Sequence, residues 1–151
     1  YQKPSVAMCH RLTASAEHGW MLRLHCADCC RIVGTVVHFD SDMSICTIEN
    51  PDNVASQFEV PLNGVCEVEV VAATCHVDGI IVARLAVIAP WRGGSVNPDI
   101  LIGDVTTGEL TVGQHGLLLM PEGVRRHGTV VAHQRRRCRI SLDPTTRSGG
   151  K

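Results

Sequence analysis

The side chains with the widest chemical reach in this chain are its eight cysteines: Cys9, Cys26, Cys29, Cys30, Cys46, Cys66, Cys75 and Cys138. Their densest group is His25-Cys26-Ala27-Asp28-Cys29-Cys30. The Cys26-x-x-Cys29 spacing lets a tight turn aim two thiolates at one zinc ion. A closed site needs two more ligands, and no other Cys-x-x-Cys occurs. Residues that could complete it are Cys30, Cys75, His76, His38 and the Cys9-His10 pair. The expectation is a structural zinc at most, on Cys26, Cys29, Cys30, Cys75 and His76, with no catalytic metal and no other cofactor. Against it, neighbours on a strand point to opposite faces, so Cys75 and His76 do not easily share one ion. A redox reading of the motif wants a helix N-terminus behind it, whereas positions 31–39 read as a strand. Packed or disulfide-bonded thiols are the plainer outcome. Cys46, Cys66 and Cys138 each sit in an apolar run at strand spacing, which predicts burial as free thiols.

Charge is the second signal. Residues 1–120 hold six Lys or Arg against thirteen Asp or Glu, and residues 121–151 hold eight against two. Twelve of the fourteen basic residues are Arg, which offers a rigid planar set of donors. Arg125, Arg126, Arg135, Arg136, Arg137 and Arg139 form the cluster. If the segments around them pair as a hairpin, they gather at one end. Such a patch neutralises phosphates or meets an acidic protein surface. Single-strand binders add aromatic platforms for stacking bases, and this chain has only Tyr1, Trp20, Phe39, Phe58 and Trp91. In the loop Trp91-Arg92-Gly93-Gly94-Ser95, the Gly-Lys-Ser/Thr and helix start of a phosphate loop are missing. Trp91 and Arg92 are therefore contact candidates, since Trp and Arg recur at binding hot spots. The competing role for Trp91 is a lid on the core.

Enzyme signatures are sparse. There is no Gly-x-Ser-x-Gly elbow. His76 with Asp78, and Asp40 with Asp42, have acid–base spacing but read as strand-edge or turn polarity. The expectation is a protein that is not an enzyme.

These residues must be carried by strands. Trp20, Leu22 and Leu24 alternate with Met21, Arg23 and His25, and 32–39 is rich in β-branched residues. Asp40-Ser41-Asp42 turns into 43–48, and Asn50-Pro51-Asp52-Asn53 is a second turn. A short strand at 57–60 stops at Pro61 and Asn63-Gly64. In 65–72, Cys66, Val68 and Val70 share one face, against Val65, Glu67 and Glu69. A long apolar strand is expected over 77–88, then a loop over 89–98. Short strands are expected at 100–102, 109–112, 117–120, 128–132 and 137–142. In the last, Cys138, Ile140 and Leu142 face inward. No run of 18 apolar residues is present to cross a membrane as a helix.

The fold class expected is all-β: an antiparallel β-sandwich of about nine or ten short strands, or else a small closed β-barrel. Residues 1–19 read as an N-terminal arm or peripheral strand, 20–142 as one β-domain and 143–151 as a flexible tail. The core expected includes Cys66, Val68, Val70, Ile140 and Leu142. The leading functional reading is a non-catalytic domain that associates with protein, either a homo-oligomer or another chain. The alternative is a nucleic-acid or polyanion binder using the C-terminal arginines. Cellular compartment is not legible, because cysteine usage fits more than one.

Overall fold

Ser5 caps an α-helix, α1 (Val6–His18), its hydroxyl accepting from the Met8 N–H at 3.1 Å. Gly19 ends it in the left-handed region (φ 81°), its N–H donating to the Ser15 carbonyl. Met8, Leu12 and Ser15 recur at i, i+4 and i+7 and form the buried face. The structure, a computed structural model, describes residues 5–50, 53–88, 100–120 and 123–144, without the side chains at 50 and 53–55. The helix replaces the arm or peripheral strand expected over 1–19. That expectation overlooked the helical spacing of Met8 and Leu12.

Eleven strands follow among the described residues: β1 (Met21–Cys26), β2 (Arg31–Asp40), β3 (Ile45–Asn50), β4 (Asn53–Pro61), β5 (Val65–Val70), β6 (Ala72–Val77), β7 (Ile80–Ile88), β8 (Ile100–Gly108), β9 (His115–Leu119), β10 (Arg125–Gln134) and β11 (Arg137–Leu142). The sandwich is not what they build. They form one open five-stranded sheet in the order β4-β3-β2-β1-β5, and one closed six-stranded barrel in the order β10-β11-β8-β7-β6-β9. The chain divides into two compact units, 1–71 with 88–96, and 72–87 with 97–151. The sheet and α1 belong to the first and the barrel to the second.

In the first unit, β1 to β4 run as an antiparallel meander and β5 returns beside β1. Helix α1 packs on β2, β5 and β1. Met8, Leu12, Leu22, Leu24, Val36, Cys46, Ile48, Val60, Leu62, Val65 and Val68 make its core. The buried Ser15 hydroxyl donates to the Trp20 carbonyl at 2.6 Å and accepts from the Val36 N–H at 2.9 Å, tying helix to sheet.

The barrel begins as a β6-β7-β8 meander whose fourth strand, β9, returns beside β6, a Greek-key connection. Its closure removes the open edges a flat sheet would leave. Cys75, Leu85, Leu101, Leu118, Val130, Cys138, Ile140 and Leu142 are buried in it. Gly116 pairs with Gly128 across β9 and β10. A Cβ on Gly128 would lie 2.9 Å from both Ile140 Cγ2 and the Ser141 carbonyl, so a side chain there would force the wall apart.

Three sequence expectations about the strands fail for definable reasons. The long strand over 77–88 is interrupted by a tight turn at Asp78-Gly79, with φ of 54° and 79°. Two successive positive φ values match the primed turn that joins twisted strands. Cys66 is exposed, not buried. His25 pairs with Glu67 but Cys26 pairs with Val65, so Cys66 is the extra residue of a β-bulge. The bulge resets the alternation and turns Val65 into the core. Val37, Val82 and Val131 are the extra residues at the other three register shifts of this kind; Val37 and Val131 are exposed in the same way and Val82 is half-buried. Val68, Ile140 and Leu142 are buried as expected, and Val70 is half-buried. The 109–112 segment carries no strand. Thr111 and Gln114 close a turn there instead.

Candidate functional site

Strands β9, β10 and β11 are neighbours in the barrel wall and together contain no Asp or Glu. They carry Arg125, Arg126, Arg137, Arg139, His115, His127 and His133, and the two-residue turn between β10 and β11 adds Arg135 and Arg136. Because Val130, Cys138 and Ile140 fill the interior, alternate positions face out. Arg125, His127, Arg137 and Arg139 are accordingly exposed. The hairpin does not gather all six arginines at one end. Register places Arg125 and Arg126 opposite Leu119 and Leu118, at the start of β10, and the Arg135–Arg136 turn at its far end. At about 3.3 Å per residue the two ends lie roughly 30 Å apart along the strand.

Two of the arginines are committed within the fold. Arg137 makes a two-pronged bond to Asp104, Nε to Oδ1 at 2.9 Å and an Nη to Oδ2 at 3.2 Å. The carboxylate is 8% exposed and the guanidinium 49%. Hydrogen bonding to the Asp104 carboxylate raises the Arg137 pKa above its ordinary value, against a smaller desolvation effect. Arg126 donates to the Asp143 carbonyl at 2.7 Å. Arg125, Arg135, Arg136 and Arg139 make no ion pair among the described residues. Arg135 also sits at φ 59°. A Cβ makes that region costly by roughly 1 kcal/mol or more, and Asn or Gly is the usual occupant. Arginine at this turn position is thus not what turn geometry selects.

Register also assembles a feature that sequence spacing concealed. His76, Leu117 and His127 form one cross-strand row over β6, β9 and β10. Beside it, His115 lies 2.8 Å from the Asp143 carboxylate and stacks on His127, with ring centroids 5.7 Å apart and planes within 4°. His76, Asp78, His115 and His127 line a depression of about 410 Å³. Asp78 belongs to the β6–β7 turn, and the His76 ring bonds the Thr74 hydroxyl at 3.0 Å. The acid–base pair suggested by His76 and Asp78 is not joined by any hydrogen bond among the described residues. The Asp40 carboxylate accepts from the Asp42 and Met43 N–H groups, which makes it a turn residue.

The zinc expectation is overturned. No group of three or more His, Cys, Asp or Glu among the described residues is placed to hold a metal ion. Cys26, Cys29 and Cys30 lie at the β1–β2 turn of the first unit, whereas Cys75 and His76 lie on β6 of the second. Cys75 is buried inside the barrel and His76 faces the other way, as strand alternation requires. Burial raises the Cys75 pKa, and it pushes Cys46 and Cys138 up to about 11, so these three thiols stay protonated and inert. Trp91 and Arg92 lie outside the described residues. No described helix is long and apolar enough to cross a membrane. No protein family, curated protein or solved structure matches the chain.

Proposed function

We propose that the barrel binds a polyanion, specifically the phosphate backbone of a nucleic-acid duplex, through the outer face of β9, β10 and β11. The observation that carries this reading is the absence of any carboxylate from three adjacent strands whose exposed positions include Arg125 and Arg139 and whose turn adds Arg135 and Arg136. Cations with no ion-pair partner among the described residues are available to displace condensed counterions. A duplex is favoured over a single strand because the six barrel strands carry no Phe, Tyr or Trp. Base stacking on these strands is left to imidazole and guanidinium planes, without the larger rings that single-strand binders use. Contacts from arginine to phosphate position a duplex without reading its sequence. The roughly 30 Å between the two ends of β10 corresponds to about nine base pairs at 3.4 Å each.

The test is fluorescence anisotropy of the whole chain with labelled duplexes of different sequence. Binding should be independent of sequence and should fall at least tenfold in Arg135→Glu/Arg136→Glu. If the parent binds no duplex, and light scattering shows the double variant losing self-association instead, the arginines join protein copies and the nucleic-acid reading is wrong.

A further inference from the structure

Half of the cysteines are brought to one end of the open sheet by two local irregularities. Cys26 ends β1, and Cys29 and Cys30 complete the turn into β2. There the Cys26 N–H donates to the Cys30 carbonyl at 2.9 Å, and the Cys29 N–H donates to the Cys26 carbonyl at 3.0 Å. The fourth thiol, Cys66, comes from forty residues further along the chain. Its bulge sets Val65 and Cys66 together opposite Cys26. The neighbouring contact, Ala27 N–H to the Gly64 carbonyl at 2.9 Å, holds the turn against the start of β5. Cys26 directly faces Val65, a relation that sets Cα atoms roughly 4.5–5.5 Å apart, and Cys66 is the adjoining residue that the bulge sets against the same position; disulfides span roughly 4.4–6.8 Å between Cα atoms. Strand β5 is an outer strand of the sheet, so the bulge is reached from solvent. Cys66 is exposed and Cys26 half-buried.

We infer that Cys26 and Cys66 are a disulfide-forming pair, closed by exchange with a small-molecule disulfide such as glutathione disulfide. The exposed Cys66 thiolate attacks one glutathione sulfur, forming a mixed disulfide and releasing one glutathione thiolate. Cys26 loses its proton to solvent and attacks the Cys66 sulfur. The protein disulfide forms and the second glutathione leaves. Cys66 meets the oxidant first because Cys26 is the less accessible of the two. The Cys26 thiol is also held above its ordinary pKa, chiefly by burial, then by the charges of Asp28, Cys30 and Cys66 nearby. Cys30 is the weaker competitor. A hydrogen bond with the Asp28 carboxylate holds its thiol protonated. The pair closes slowly, and once closed it ties β5 to β1 across the bulge.

The test is intact-mass and peptide mapping of the whole chain after incubation with glutathione disulfide. The parent should lose about two mass units, as a dithiol becomes a disulfide, and yield one linked peptide joining Cys26 to Cys66. Cys29→Ser should close as the parent does. Cys66→Ser, at an exposed position where a small polar side chain leaves packing intact, should form no linked peptide from this region. A crosslink using Cys29 or Cys30 in the parent, or stable glutathione adducts without closure, would overturn the pairing. So would equal disulfide yield in Cys66→Ser.

Discussion

The two units use the same element, a short antiparallel strand, and opposite charge. The sheet unit holds five Lys or Arg against nine Asp or Glu, and the barrel unit nine against six. The cations differ in kind as well as number. In the sheet, Arg23 and His25 both meet Glu69, at 3.2 and 3.0 Å, and the Arg11 guanidinium donates to the Val68 carbonyl. In the barrel, Asp104 captures one arginine of the hairpin, and Arg125, Arg135, Arg136 and Arg139 have no carboxylate partner among the described residues. Paired surface charges contribute at most about 1 kcal/mol to stability and are screened by salt. Unpaired like charges on one face repel each other, which disfavours the fold but raises the local counterion concentration an anionic partner can displace. The difference separates a unit in which Arg23 and His25 share a carboxylate from one with four arginines that have no carboxylate partner among the described residues.

The largest expected effect breaks either unit at its core. Leu22 and Leu85 are both fully buried, and Leu→Ala at such sites costs roughly 2–5 kcal/mol. Chemical denaturation should show losses of that size for both variants. Only Leu85→Ala should also weaken duplex binding, since the proposed binding face belongs to the barrel.

A smaller effect sharpens the contrast. Asp104→Ala removes both bonds to Arg137 and should cost about 1–3 kcal/mol by denaturation. The half-exposed Arg137 then keeps its charge on the proposed binding face without the neutralising Asp104 carboxylate beside it. Duplex affinity should rise despite the lost stability. If affinity falls while the fold stays intact, Arg137 and Asp104 are not separating a structural arginine from functional ones.

The smallest effect belongs to the sheet. Hydrogen bonds from His25, then from Arg23, hold the Glu69 carboxyl below the usual range, outweighing its slight burial. A carboxylate with a depressed folded pKa stabilises the protein above its unfolded value near 4.3. That stability is lost as pH falls through the lower folded value. Because Glu69 is about half exposed, the loss is at most about 1 kcal/mol. Denaturation midpoints of Glu69→Gln should fall slightly short of those of the parent at pH 6 and converge with them only once the pH lies below the lowered folded value of Glu69.

Alternation in the sequence located the inward faces of β11 and most of β5, because Cys138, Ile140 and Leu142 occupy an uninterrupted ladder. It misplaced Cys66, since one extra residue in a strand inverts every assignment on the far side. No residue type marks that bulge. The Asp78-Gly79 turn did carry a local signal, a dipeptide that favours positive φ at both positions, but the apolar run on either side masked it. The division into sheet and barrel depends on which strand returns beside which, a long-range property that strand spacing does not encode. The arginine cluster was visible as composition. Its separation into Arg137, locked by Asp104, and the cations free of carboxylates depends on the β8–β11 register, as the His115–Asp143 contact depends on where β11 ends.

Salt dependence of duplex binding tests the charge contrast most directly. Four phosphate contacts, from Arg125, Arg135, Arg136 and Arg139, give a slope of log K against log salt of about −3.6. Arg135→Glu/Arg136→Glu should bring it to about −1.8 or shallower, while Glu67→Gln on the sheet leaves it unchanged. A parent slope near zero, or one that the arginine variant does not alter, would contradict a phosphate-binding face on the barrel.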